Sequence, residues 1–119
     1  MKVDTTSPAP ILDVEGTLVR LGGYKVLFVE MGSFLLEDAP PLFAALHKAV
    51  QADDAEKVEN KAHALKGLLI NCGGVRSSHP ARLLEAAGRA GDLENAANLI
   101  DSLESELNVL MDAIRGYRP

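Results

Sequence analysis

Val58-Glu59-Asn60-Lys61-Ala62-His63-Ala64-Leu65-Lys66-Gly67-Leu68-Leu69-Ile70-Asn71-Cys72-Gly73 reads as one helix with two unlike sides. At about 100° per residue, Val58, Ala62, Leu65, Leu69 and Cys72 fall in a narrow apolar stripe, spaced four, three, four and three, as on a helix buried along one side. His63 projects roughly 140° from the centre of that stripe, on the side that also holds Glu59, Lys66, Gly67 and Ile70. Burying the first set presents the second to solvent. Lone histidines are mostly surface or satisfied core residues, so the neighbours decide what His63 means. Lys66, one turn on, brings a cation within reach of any anion carried by the imidazole. Gly67 inside a helix costs about 1 kcal/mol relative to alanine, which points to something approaching that face closely. Ile70 adds an exposed apolar contact of the kind a docking partner covers, though one such residue alone means little.

The flanking segments also read as helices. Asp13 is placed to cap a short one running to about Leu21, stopped by Gly22-Gly23. From Tyr24 to Gln51 the residues Leu27, Met31, Phe34, Leu35, Leu42, Leu46 and Val50 keep helical spacing, with a kink or break expected at Pro40-Pro41 and Asp38 as the cap if it breaks. Asp53 and Asp54 precede the His63 helix as caps, and Gly73-Gly74 ends it. Ser77-Ser78-His79-Pro80 has the form of a helix start, serine as cap and proline in the first turn, leading into residues 81–87. After Asp92, read as a cap, Ala96, Ile100, Leu103, Leu107, Leu110 and Ile114 repeat as a seam until Gly116 and Pro119. No segment alternates as a strand. The expected fold is all-α: an antiparallel up-down-up-down four-helix bundle over residues 11–116 with a short additional N-terminal helix, preceded by a flexible tail or linker at residues 1–10.

Composition limits the function. A chain of 119 residues, 47% hydrophobic with no Trp, supports one modest Leu/Ala/Val/Ile core. A formal charge of −5 disfavours nucleic acid and anionic membranes as partners. No stretch reaches the ~18 apolar residues of a membrane span. Cys72, the only cysteine, lies in the apolar stripe and reads as a small buried hydrophobe, which fits a cytoplasmic setting. His47 and His79 share no spacing with His63 or with acidic residues that suggests a metal site, and no nucleotide-binding loop is present.

The run His63-x-Leu65-Lys66-Gly67, followed by Asn71 and Gly73, resembles the phosphoacceptor helix of histidine-containing phosphotransfer (HPt) domains of bacterial multistep phosphorelays. Leu21-Gly22-Gly23, the segment from Phe34 to Pro40, and the segment from Glu85 to Glu94 extend the resemblance to nearly the whole chain. It implies that His63 accepts a phosphoryl group on Nε2 from a receiver-domain aspartyl phosphate and passes it to another receiver. Lys66 would offset phosphoryl charge, Gly67 would give the partner steric access, and Glu59 and Ile70 would lie on the partner-binding face. Imidazole suits this chemistry, since its ordinary pKa of about 6.5 leaves a large neutral, nucleophilic fraction at neutral pH. The implied partners are response-regulator receivers and a hybrid sensor histidine kinase. The chain itself would be a monomeric carrier without autonomous kinase activity and without a cofactor of its own, Mg²⁺ arriving with the receiver.

Two departures from the family pattern stand out. Leu68 and Leu69 replace the usual small residues after the glycine, and both fall toward the core, away from His63. Ser77 stands where relatives carry leucine, so the fourth helix is expected to start late or irregularly. Two other readings stay open: an adaptor of the same fold that binds a receiver or kinase without being phosphorylated, and a self-associating bundle in which His63 is incidental. Intact His63, Lys66 and Gly67 count against the first, and the several matching segments count against the second.

Overall fold

The computed structural model describes residues 9–119, so most of the expected 1–10 tail lies outside the described residues. Five helices follow one another: α1 (Val14–Arg20), α2 (Lys25–Gln51), α3 (Ala55–Asn71), α4 (Val75–Ala90) and α5 (Ala96–Gly116). Among the described residues there is no strand. α2 packs on α3, α3 on α4, α4 on α5, and α5 back on α2, which closes an antiparallel four-helix bundle; α1 lies against α2. Among the described residues no helix is long and apolar enough to cross a membrane.

The core is built from the stripes expected of α3 and α5. Val58, Ala62, Leu65, Leu69 and Cys72 are all buried, as are Ala96, Ile100, Leu103, Leu107 and Leu110. α2 contributes Leu35, Ala39, Leu46 and Ala49, and α4 contributes Ala81 and Leu84. Burial pushes the Cys72 thiol up to about 11, in keeping with a packing role. The first half of α2 is less enclosed: Phe28 is buried edge-on against Tyr117 at 4.8 Å, whereas Leu27 and Phe34 are exposed.

Pro40-Pro41 does not break the second helix, which runs through both prolines. Both rings are exposed, so the donors they lack fall on a side open to water, where the unmatched carbonyls one turn earlier can be hydrated. The fourth helix begins at Val75, directly after the glycine pair, so the late start is corrected. The expected serine cap is not formed: the helix is entered from Gly74, and the Arg76 N–H of its first turn donates to the Pro10 carbonyl at 3.3 Å. Ser77 and Ser78 turn their hydroxyls back onto the carbonyls of Gly74 and Val75, at 3.2 and 2.8 Å, inside the first turn. Pro80 then sits within the helix. Asp92 also differs from expectation. Its carboxylate accepts from the Glu94 N–H at 3.2 Å, a local turn, and α5 starts later, after Asn95. Asp13 and Asp54 do cap α1 and α3, accepting from the N–H groups of Gly16 and Lys57.

Candidate functional site

α3 carries His63 because its opposite side is committed to the core. α1 fixes the far end of that helix. The Asp13 N–H donates to the Gly73 carbonyl at 2.8 Å, and the Arg20 guanidinium reaches the Ile70 carbonyl at 3.2 Å while bonding Thr17 Oγ1. The Gly88 position brings α4 close, since a Cβ there would stand 2.5 Å from the Glu59 nitrogen and 2.7 Å from the Ala55 carbonyl oxygen. At this separation a side chain from α4 can reach the outer face of α3.

That side chain is Glu85. Its carboxylate is only 7% exposed, and it accepts from His63 Nδ1 at 2.7 Å through Oε2 and from Lys66 Nζ at 2.6 Å through Oε1. Arg89, one turn along α4, adds a bond to Oε2 at 3.2 Å and extends to Glu59 at 2.9 Å. The hydrogen bond from Lys66 holds the Glu85 carboxyl below its ordinary range against the opposing effect of burial, and the bond from His63 adds to it. An ionised carboxylate only accepts hydrogen bonds, so the geometry assigns the proton of a neutral His63 ring to Nδ1. Nε2, with its lone pair, has no partner among the described residues. The His63 side chain is 68% exposed.

The surroundings of that nitrogen are open. A Cβ placed on Gly67 would meet nothing within 4 Å, so the chain's own packing does not require glycine there. Ile70 is exposed two turns beyond His63, and Phe34 on α2 is exposed above a shallow hollow that Met31, Leu68, Asn71 and Cys72 share. The structure thus brings His63, Lys66 and Glu59 into one network and leaves Gly67 and Ile70 on the open surface beside it. Two expected placements acquire unexpected company. The Lys66 ammonium rests on Glu85, with its side chain 22% exposed, and Glu59 is bound to Arg89. His47 and His79 lie elsewhere on the surface, and no group of three or more His, Cys, Asp or Glu among the described residues is placed to hold a metal.

From the sequence, Glu85 and Arg89 enter only as part of the segment from Glu85 to Glu94 that carries the resemblance, with no place at the site. A signal was present in the spacing of Ala81, Leu84, Glu85 and Gly88, which sets a carboxylate in an otherwise apolar or glycine seam. A buried carboxylate demands cationic or N–H partners from the facing helix, and Lys66 and His63 are what α3 offers.

A sequence model of the Hpt domain family matches residues 30–116. Among solved structures, the histidine-containing phosphotransfer protein B (HptB) from Pseudomonas aeruginosa PAO1 is similar, with a TM-score of 0.82 and 27% identity over 93% of this chain and 100% of that one. No curated protein sequence matches.

Proposed function

The chain belongs to the Hpt domain family, and from that premise we propose that His63 Nε2 takes the phosphoryl group of a receiver-domain aspartyl phosphate and later yields it to a second receiver. Histidine phosphotransfer in phosphorelay signalling is the activity of the family, whose members are phosphocarriers rather than enzymes. The observation that carries the assignment is the pairing of His63 Nδ1 with buried Glu85, which leaves Nε2 unpartnered on an exposed face.

In the forward step the Nε2 lone pair forms the N–P bond while the acyl-phosphate P–O bond breaks and its electron pair stays on the receiver's aspartate. Such a loose, in-line transfer asks mainly for positioning and for neutralised charge. The receiver brings Mg²⁺ and its acidic pocket. Lys66, a point charge on a flexible stem, can share its ammonium between Glu85 and an incoming phosphoryl oxygen. Gly67 leaves room for the receiver surface, and Ile70 offers it an apolar contact. Glu59, bound to Arg89, forms the edge of the same face. A hybrid sensor histidine kinase supplies the upstream phosphoryl group in this reading.

The test is incubation with a phosphorylated receiver and Mg²⁺. The expected label is acid-labile and alkali-stable and is lost in His63→Gln. Receiver binding without labelling, across several donors, would overturn the carrier reading in favour of an unphosphorylated adaptor.

A further inference from the structure

We propose that His63 keeps its Nδ1 proton through the whole transfer cycle, and that Glu85 is the positioning residue that holds it there, so the phosphorylated ring persists as an imidazolium ready to release its phosphoryl group. This rests on Nε2 as the phosphoacceptor.

Before transfer, the neutral imidazole has one N–H, on Nδ1, donated to Glu85 Oε2 at 2.7 Å. Attack by Nε2 uses its lone pair and leaves Nδ1–H in place, so the immediate product is a cationic ring bearing an anionic phosphoryl group. Free in water, such a ring loses the Nδ1 proton wherever the pH exceeds its pKa. A buried carboxylate at hydrogen-bond distance opposes that loss, because an opposite charge in direct contact favours the protonated form.

Glu85 is held for this purpose from three directions. His63 and Lys66 reach it from α3, and Arg89 from its own helix. Glu59, bound to Arg89, completes the cluster, while Arg82, one turn back along α4, lines a separate hollow beside Ile70. Lys66, Arg89, Glu59 and Glu85 together balance to zero formal charge, and the charge nearest Nδ1 is the Glu85 carboxylate, which opposes loss of the ring's proton. The two cations also keep Glu85 ionised and pointed at the ring.

Retention of that proton matters when the phosphoryl group leaves. The N–P bond breaks with its electron pair returning to Nε2, and a ring that still carries Nδ1–H departs as neutral imidazole. A ring that had lost the proton would have to depart as imidazolate, a far more basic and poorer leaving group. With Nδ1–H retained, neither direction of transfer requires a proton to be delivered while the receiver covers the site.

The test uses the full ¹⁵N-labelled chain phosphorylated with phosphoramidate, read by ¹⁵N and ³¹P NMR across pH. Glu85→Gln retains a carbonyl acceptor for Nδ1–H but removes the charge. The titration midpoint of the phosphorylated ring is expected to fall by about one pH unit in this variant, a tenfold change in proton affinity. Release to a receiver at mildly alkaline pH should slow by about the same factor, and the difference should vanish in acid, where both rings are protonated. A midpoint unchanged by the substitution, or a rate loss independent of pH, overturns the inference while leaving His63 as phosphoacceptor. A phosphoryl group found elsewhere than on His63 overturns both. The wild-type chain gives a reading that does not depend on the variant's folding: its midpoint should lie above that of free Nε2-phosphohistidine, and a value at or below it contradicts the proposal.

Discussion

Gly67 on α3 and Gly88 on α4 both lie inside continuous helices, and each costs about 1 kcal/mol relative to alanine by propensity alone. A Cβ at Gly88 would stand 2.5 to 2.9 Å from the backbone of Ala55 and Glu59, so its absence lets the two helices touch. A Cβ at Gly67 would meet nothing within 4 Å. The first glycine is accounted for inside the molecule, by the close approach that lets Glu85 reach His63. Gly67 makes no such contact inside the molecule, and the proposed function assigns the space beside it, one turn from His63, to a partner. One helix pair thus holds a glycine that packing explains and a glycine that packing does not.

The contrast can be broken most severely on the buried side. Leu65→Ala, in the fully buried stripe of the same helix, should lower unfolding free energy by about 2–5 kcal/mol in denaturant titration. Gly88→Ala should come next, at about 1–3 kcal/mol, because its added methyl meets backbone that cannot swing aside as a side chain can. A stability unchanged by that substitution would show that α3 and α4 are not held by close backbone contact.

Glu85 links the two sides, and its effect should depend on pH. Its folded pKa is lowered from 4.5, so its contribution is complete above that ordinary value and is lost as pH falls through the lowered one. Glu85→Gln should therefore be less stable than wild type near neutrality, by about 1 kcal/mol. The two curves should converge in acid. Parallel curves down to pH 2 would contradict the pairing with His63 and Lys66. The smallest effect belongs to Gly67→Ala, which should raise stability by about 0.5–1 kcal/mol, since the site has space for the methyl and a helical backbone.

Much of the bundle could be read from periodicity, because Leu65, Leu69, Leu103 and Leu107 obey a spacing that only a one-sided burial produces. What periodicity could not supply was set by contacts distant in sequence. Ser77-Ser78-His79-Pro80 has the local form of a helix start, yet α4 begins earlier, where the Pro10 carbonyl, far away in the chain, takes the Arg76 N–H of the first turn. Asp92 is a local exception, since its carboxylate serves the Glu94 N–H in a turn and α5 begins after Asn95. At the site, His63, Lys66 and Gly67 declare themselves through one helix face. Glu85 does not, because its meaning depends on which helix lies opposite and how close it comes, and Gly88 permits that closeness. The exposure of His63 was legible from the helix wheel, but the pairing of its Nδ1 with Glu85 was not.

The comparison turns on whether the space beside Gly67 belongs to a protein partner, and Gly67→Leu with two phosphodonors tests this directly. A leucine there leaves Nε2 open to a small molecule but obstructs a domain-sized surface. Transfer from a phosphorylated receiver should fall by about tenfold or more, while labelling by phosphoramidate stays within about twofold of wild type. Equal losses with both donors, or no loss with either, would contradict the assignment of this face to receiver docking.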